Sequence, residues 1–568
     1  MPKMHWVLVI PVAIFCVALF LRLIGISWGL KNDLHNQTYH PDEGLIFSYS
    51  RTIEPTQGKF TPGFYNYGTL YLTVLRVASD VVSAYTGGPD DKNEEATWAW
   101  VSRCHLAGRV LSALAGAGMA LFVCLIVMRF TGPLGAAAAG LCIAFAPGHV
   151  VHSRFQTVDI LAAFFLTVSA WYALRLIPQE GHKPFNAIKI SAWCGVFAGL
   201  SAGTKYTGIL ALLSLVAVVV MAKPAKPGLV ILTAIGSALG VFFLTTPGAI
   251  LDFPKFLNDF KFEMTHTSTG HGLVFAGTPS GFIYHLMNLG TGIGPILTIL
   301  GLAGLGIGVY KRQAWLVVLF AFALPYYLLI GRAEVKFLRY TFPLYVSVAA
   351  GFGFLIDRAH RRGGASHALV GLGILGLGGV DPGGLRMAAT MTAWMAGEDP
   401  RDSAARALKE KATKDPSITV GLASDPWFYT PPFYPNTGLG PRAPWFQRTQ
   451  LLRSATLPKL AYHIATDAEG VRPNEAGGPF SFDVRLLTED RPTYVVLCSF
   501  EFEDLERIKN LPGLEGVDKL LVTRYQQFRT RLEADYGLDS AYGIDGPTIH
   551  DLEYIQPSVL IWKRKITP

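Results

Sequence analysis

Charge is what this sequence has least of. Asp, Glu, Lys and Arg make up 16% of its 568 residues, against about 25% in an average soluble domain. Together with 51% hydrophobic and 12% aromatic residues, that deficit excludes a disordered or fibrous chain and argues against an ordinary soluble enzyme. Cysteine is scarce too. Of the six, Cys16, Cys124, Cys142 and Cys194 lie inside apolar runs, and only Cys104 and Cys498 fall in polar stretches. No metal-ligand spacing or disulfide framework results, and a Cys104–Cys498 bridge is left open. The chain also lacks an arginine-rich stretch with interleaved aromatics, so its net charge of +8 does not point to nucleic acid. It has no internal repeat.

What is abundant is apolar sequence in blocks of membrane-spanning length, roughly 20 residues each. Eleven candidate spans follow, at about 6–28, 106–128, 134–150, 158–177, 188–203, 207–222, 229–247, 283–309, 314–331, 338–356 and 365–380. The first is too long for a cleaved signal peptide and lacks a small-residue cleavage site, so it reads as a retained helix. The break at Lys205 reads either as a boundary between two spans or as a kink within a re-entrant pair. Basic residues are retained on the cytoplasmic side of a membrane. Placing the N-terminus inside puts Lys3, Arg129, Arg175, Lys183, Lys189, Lys223, Lys226, Lys311, Arg312, Arg358, Arg361 and Arg362 there, opposed only by Glu180 and Asp357. The expectation is a multi-pass protein of the cytoplasmic (inner) membrane, with its C-terminal region outside.

The expected domains are a multi-span part, 1–384, with long outer loops at 29–105 and 248–282, and an extracytoplasmic α/β domain, 385–568. In the second, Arg401–Lys414 reads as a helix capped by Asp402 or Ser403, and Glu503–Asn510 as another. Ile418–Ala423, Tyr494–Cys498, Leu520–Val522 and Val559–Trp562 read as strands.

Three groups of residues carry candidate chemistry. Tyr39-His40-Pro41-Asp42-Glu43 follows the first span. Adjacent carboxylates repel, and partial desolvation raises a carboxyl pKa, which suits a general base acting on a hydroxyl. The same residues also read as two solvated loop acids behind a proline. The second group is cationic. Arg22, Arg109, Arg154, Lys205, Arg332, Lys336 and Arg339 fall at outer helix ends, where retention does not explain them. Together they suit an anionic headgroup; singly, each reads as snorkelling to lipid or pairing with Asp159, Asp252 or Glu334. The third group is Glu263, His266 and His271. Its spacing fits a metal only loosely and no third histidine-type ligand follows, so loop histidines touching a headgroup are the preferred reading. Glu501-Phe502-Glu503-Asp504 resembles an acidic metal string but opens a helix, where acidic residues complement the dipole.

These pieces together resemble the lipid-carrier-dependent glycosyltransferases with the C-type (GT-C) membrane fold, which include protein O-mannosyltransferases and the aminoarabinose transferase acting on lipid A. The matching stretches are Arg22-Leu23, His40-Pro41-Asp42-Glu43, Gly108 to Ala113, Ser153-Arg154-Phe155 leading to Asp159, and Ala202 to Thr207. Thr246-Pro247, Leu251-Asp252, Gly270-His271, Leu338-Arg339-Tyr340 and Asp399-Pro400-Arg401 also match. The resemblance implies a polytopic α-helical protein with about 11 spans that takes a sugar from a polyprenyl-phosphate carrier and inverts its anomeric centre. It makes Asp42 the catalytic base and Glu43 the neighbour that places the acceptor. Arg109, Arg154, Lys205 and Arg339 match positions near the carrier phosphate. His40, Asp159, Tyr206, His266, His271, Lys336 and Tyr340 complete the expected substrate-binding set. The acceptor would be a glycan, glycolipid or protein; the C-terminal region does not resemble the β-trefoil modules of eukaryotic mannosyltransferases. No metal ligand is assigned. A divalent metal is compatible but not required, because fixed cations can stabilise a monophosphate leaving group, and the membrane-proximal outer loops hold no Asp-x-Asp. Two other classes compete: a transporter or flippase for a lipid-linked sugar, disfavoured by the missing repeat, and a non-catalytic subunit that only binds the carrier.

Overall fold

The computed structural model describes residues 3–179, 186–380, 382–415, 417–424, 427–432, 460–461, 481–544, 546–547 and 549–566. Glu180 and Lys183, both used in reading the orientation, lie outside these. The helices run in chain order α1 (Lys3–Leu23), α2 (Pro41–Arg51), α3 (Leu70–Thr86), α4 (Glu94–Phe130), α5 (Pro133–Ala144), α6 (Pro147–His152), α7 (Val158–Leu174), α8 (Ala187–Thr204), α9 (Leu212–Ala222) and α10 (Pro227–Thr245). They continue with α11 (Gly248–Leu251), α12 (Phe253–Thr269), α13 (Gly281–Ile293), α14 (Pro295–Tyr310), α15 (Ala314–Gly331), α16 (Phe342–Arg362), α17 (His367–Gly378), α18 (Gly384–Ala396) and α19 (Pro400–Lys414).

Each of the eleven apolar runs holds a helix or helix pair, and the chain is a polytopic helical membrane protein. Among the described residues, four helical segments are long and apolar enough to cross a membrane alone: Glu94–Phe130, Pro227–Thr245, Ala314–Gly331 and Leu338–Arg362. Gly281–Ile293 with Pro295–Tyr310 makes a fifth if taken as one span. The run read from the sequence as a span at 283–309 is broken in the structure, the two helices meeting at a bend of 115°. Gly294, at φ +122°, turns the chain into a conformation open to glycine, and Pro295 starts the next helix. The two outer segments are also more helical than loops: α2, α3 and the first turns of α4 fill one, and α12 fills most of the other. At Lys205 the backbone is extended, so α8 ends there and a 3-10 turn, Tyr206–Ala211, leads into α9.

Small residues let the helices close on buried charge. A side chain at Gly116 of α4 would sit 2.3 Å from Ser153 Oγ and 2.8 Å from Arg22 Nε. The fully buried Arg22 donates to Ala18 O (2.9 Å), Ile143 O (3.2 Å) and Ser153 Oγ (3.1 Å), and pairs with His149 Nδ1 (2.8 Å). Helix-end carbonyls thus replace water around the guanidinium.

After α18 the chain forms a five-stranded mixed sheet of β1 (Val420–Leu422), β2 (Leu460–Ala461), β3 (Tyr494–Cys498), β4 (Tyr536–Tyr542) and β5 (Val559–Arg564), in the order β2-β1-β3-β5-β4. The β1 strand runs parallel to β2 and β3, whereas β5 is antiparallel to both β3 and β4. Alternation along β3 separates two cores. Tyr494, Val496 and Cys498 pack with Ala404, Ala405 and Leu408 of α19, while Val495 and Leu497 pack with Ile508, Tyr525, Phe528 and Leu532. The sequence-derived division at 384/385 falls at the start of α18. Three readings in this region need correction. Leu520–Val522 is not a strand but part of the helix Gly516–Asp535, where Leu521, Tyr525, Phe528 and Leu532 recur at helical spacing. The cap of α19 is Asp399, which accepts from Arg401 N–H (2.9 Å) ahead of Pro400; it is neither Asp402 nor Ser403. The helix placed at Glu503–Asn510 starts at Ser499, and Glu501 reaches back to Cys498 N–H (2.7 Å). All six cysteines are free, which answers the Cys104–Cys498 question.

Candidate active site at the helix ends

Local sequence builds the first half of the site. Pro41 opens α2 with His40 as its cap: His40 Nδ1 accepts from Asp42 N–H at 3.2 Å. Asp42 and Glu43 lie in the first turn, where free N–H groups favour negative charge. The buried His40 ring packs against Phe155 (4.4 Å between centroids) and Tyr554 (5.2 Å). Burial pushes His40 below the usual histidine range, which keeps the ring neutral and its Nδ1 able to accept.

The adjacent acids then part company. Glu43 is fully buried and takes a two-pronged contact from Arg109, Nε to Oε1 at 2.8 Å and Nη2 to Oε2 at 2.7 Å. Gln156 N–H adds a bond to Oε1 at 2.8 Å. Burial alone would raise this carboxyl, but Arg109 and its hydrogen bonds hold it at about 2. Arg109, itself fully buried, spends its remaining donors on Ile26 O (2.8 Å) and Trp28 O (2.6 Å). Arg154 is likewise enclosed: it donates to Arg22 O (3.3 Å), Thr392 Oγ1 (2.6 Å) and Leu21 O. The geometry thus sets Arg109, Arg154 and Glu43 apart from the other expected site residues: all three are buried and bonded within the protein. Both arginines are consumed inside the protein, and Glu43 has no open face.

Asp42 keeps an open face, with its side chain 34% exposed, and lies 3.6 Å from Arg339 Nη2. Arg339 is the hub. Its guanidinium is 3.8 Å from Asp159 Oδ2 and 3.5 Å from Asp551 Oδ2, and stacks over Phe337 at 3.9 Å. Lys205 Nζ bonds Asp159 Oδ1 at 2.7 Å and sits 4.3 Å over the Tyr340 ring. Asp159, Lys205 and Arg339, with Ser201, Thr207 and Tyr326, line a small cleft. The break after α8 carries Lys205 and the 3-10 turn Leu338–Thr341 carries Arg339, and both meet Asp159 at the start of α7.

The other sequence candidates make contacts of their own. Tyr206 donates its hydroxyl to Tyr65 O (2.6 Å) and Tyr67 O (2.9 Å), tying the first outer segment to α8. Lys336 is buried and held by Thr278 Oγ1 (3.2 Å) and Glu334 (3.4 Å), away from the hub. His271 Nδ1 and His266 Nε2 are 3.2 Å apart, and His271 packs on Phe337 at 5.5 Å. Burial, then the charges of His266 and Arg339, push His271 down. Among the described residues, no three His, Cys, Asp or Glu side chains gather as a metal site. Sequence reasoning missed Asp551 altogether. It belongs to the four-residue helix His550–Glu553 and reaches Arg339 across 212 residues. The only local signal was an ionisable run, His550-Asp551 with Glu553-Tyr554, between two strands.

Residues 102–248 match the family model described as dolichyl-phosphate-mannose-protein mannosyltransferase. That segment contains Arg109, Arg154, Asp159, Lys205 and Tyr206, and over it the resemblance read from the sequence is borne out. No curated protein matches the chain. Among solved structures, ArnT from Cupriavidus metallidurans in the apo state is 16% identical with a TM-score of 0.47, covering 99% of this chain and 98% of that one. The same protein bound to undecaprenyl phosphate is 17% identical with a TM-score of 0.44, covering 72% and 73%. The apo oligosaccharyltransferase of Archaeoglobus fulgidus is 14% identical with a TM-score of 0.49, covering 96% and 74%.

Proposed function

We propose that this chain is a membrane glycosyltransferase that moves a sugar from a polyprenyl-phosphate carrier to an acceptor hydroxyl. In this reading the cleft opens at the outer face of the cytoplasmic membrane, the N-terminus is cytoplasmic, and the chain divides near 384/385 into a transferase part and an outer α/β domain. The observation that carries it is one half-open carboxylate, Asp42, set 3.6 Å from a guanidinium that also borders the cleft with Lys205. The family match over residues 102–248 supports the same chemistry.

The chemistry follows from that placement. Asp42 accepts the proton of the acceptor hydroxyl. The oxygen attacks the anomeric carbon from the side opposite the phosphate, which inverts the centre. The bond between anomeric carbon and phosphate oxygen breaks, and its electron pair leaves on the phosphate. Arg339 and Lys205 hold the charge that develops there, in a partly dry site where fixed cations act strongly. Arg339 and Lys205 are the cations placed to take up that charge, and a divalent metal is compatible with the step but not required by this reading. Glu43 and Arg109 act through α2: their buried pair fixes the turn that aims Asp42. The test is Asp42→Asn in nanodiscs. Release of free polyprenyl phosphate from a radiolabelled donor should fall a hundredfold or more, on the order expected for loss of a general base, while carrier binding is retained or tightens.

A further inference from the structure

Three carboxylates converge on Arg339, but only Asp551 hydrogen-bonds it. One oxygen, Oδ2, accepts from the Arg339 main-chain N–H at 3.3 Å and from Nη1 at 3.5 Å. It thereby fixes both the 3-10 turn that starts this segment and the head of the side chain. The nearest approaches of Asp42 and Asp159 are 3.6 and 3.8 Å, close enough for attraction but not for directed bonds. Asp551 is buried, and its second oxygen, Oδ1, finds no partner. Such a group is costly to bury, and Arg339 is the partner that offsets the cost.

We propose that Asp551 is a positioning residue for Arg339, so that the C-terminal α/β region completes the anion site formed by the membrane helices. This rests on the reading that Arg339 faces the carrier phosphate. The groups facing Asp551 are Arg339 and Tyr340 from the 3-10 turn, Asp159 from α7, Tyr284 from α13, Tyr345 from α16, Tyr554 just after its own helix, and His152 from α6, whose Nε2 is 3.8 Å away. His550 and Glu553 flank it on its own helix. With Asp42, Asp159 and Asp551 set against Arg339 and Lys205, the empty cluster carries one excess negative charge. Asp551 therefore does two opposing things: it aims the guanidinium and it weakens the attraction for phosphate. Removing its charge should tighten anion binding and slow the chemistry, a pairing that a purely structural residue would not produce. Burial raises the Asp551 carboxyl to about 6 against the pull of Arg339, so the wild-type rate should also fall as pH drops through that value.

The experiment compares wild type, Asp551→Asn, Asp551→Glu, Arg339→Gln and the Asp551→Asn/Arg339→Gln pair, each in nanodiscs. Decaprenyl phosphate binding is measured beside turnover of whichever radiolabelled donor the wild type uses. Asp551→Asn should bind decaprenyl phosphate several-fold tighter, turn over about tenfold slower or worse as expected for a misaligned charge, and lose the acid limb near pH 6. Asp551→Glu should recover part of kcat, and in the Arg339→Gln background Asp551→Asn should lower kcat no further and change binding by less than it does in wild type. Unchanged binding and kcat in Asp551→Asn would overturn the proposal, as would an effect of equal size in the Arg339→Gln background. If the wild type turns over no donor, the transferase reading fails, but coupling between the two substitutions in decaprenyl phosphate binding still decides this one.

Discussion

Asp42 and Glu43 are neighbours in sequence with opposite surroundings, and that difference separates their expected phenotypes. Asp42→Asn changes a half-open carboxylate beside Arg339 and should cost turnover without stability. Glu43→Gln removes one charge of a fully buried pair and leaves Arg109 uncompensated, which should cost about 3–5 kcal/mol of stability. Thermal unfolding of the two purified variants side by side checks the contrast: a normal Tm for Asp42→Asn and a clearly lowered one for Glu43→Gln. The acidic pair behind a proline was visible in the sequence because local order creates it. Which acid keeps an open face was not, since that depends on Arg109, 66 residues away. The same holds for the cations. Lys205 and Arg339 were legible as outer helix-end charges and do meet at the cleft, whereas Arg109 and Arg154 carry the same signature and are spent on carboxylate and carbonyl partners.

At the scale of elements, long apolar runs were readable because burial in lipid demands continuous hydrophobicity, and each such run does hold a helix. The bend at Gly294 was not read, although Gly294-Pro295 is a recognisable break, because apolar content continues unbroken across it. Short windows misled in the C-terminal region: Leu520–Val522 looks like a strand alone and like a helix once Tyr525 and Phe528 are counted. Two acids there make a pH prediction. Burial raises Glu501 to about 7, and burial with repulsion from Glu503 raises Glu553 to about 8. Above the unfolded carboxyl range, near pH 4.3, the folded chain holds protons that the unfolded chain has lost. Stability therefore declines as pH rises through about 7 and 8, and flattens beyond. Denaturant unfolding between pH 6.5 and 8.5 should show that decline, and Glu553→Gln should reduce its slope. His550, pushed down to about 3 by burial and Arg339, adds its own dependence only below the ordinary histidine range.

For the whole molecule, the joint between helices and sheet is a polar lock. Trp28 Nε1 donates to Asp399 Oδ2 at 3.0 Å, and Tyr39 donates to Asp402. Arg401 grips Asp399 with two bonds of 2.7 Å, reaches Tyr554 O at 2.8 Å, and stacks on Tyr39 at 3.8 Å. Arg401→Leu would leave Asp399 buried without its partner, a loss of about 3–5 kcal/mol. Limited proteolysis should then cut between α17 and α19 faster than in wild type. None of this joint was legible beforehand, because its partners lie hundreds of residues apart and only the Asp399-Pro400-Arg401 motif hinted at it. We propose that one carboxylate, Asp42, and two cations, Lys205 and Arg339, transfer a sugar from a lipid phosphate. The most direct measurement of that transfer is release of polyprenyl phosphate from radiolabelled donors by wild type and Asp42→Asn in nanodiscs, with carrier binding followed in parallel. Release by wild type alone, with binding retained in both, is the predicted result. Equal release by the two proteins would contradict the account.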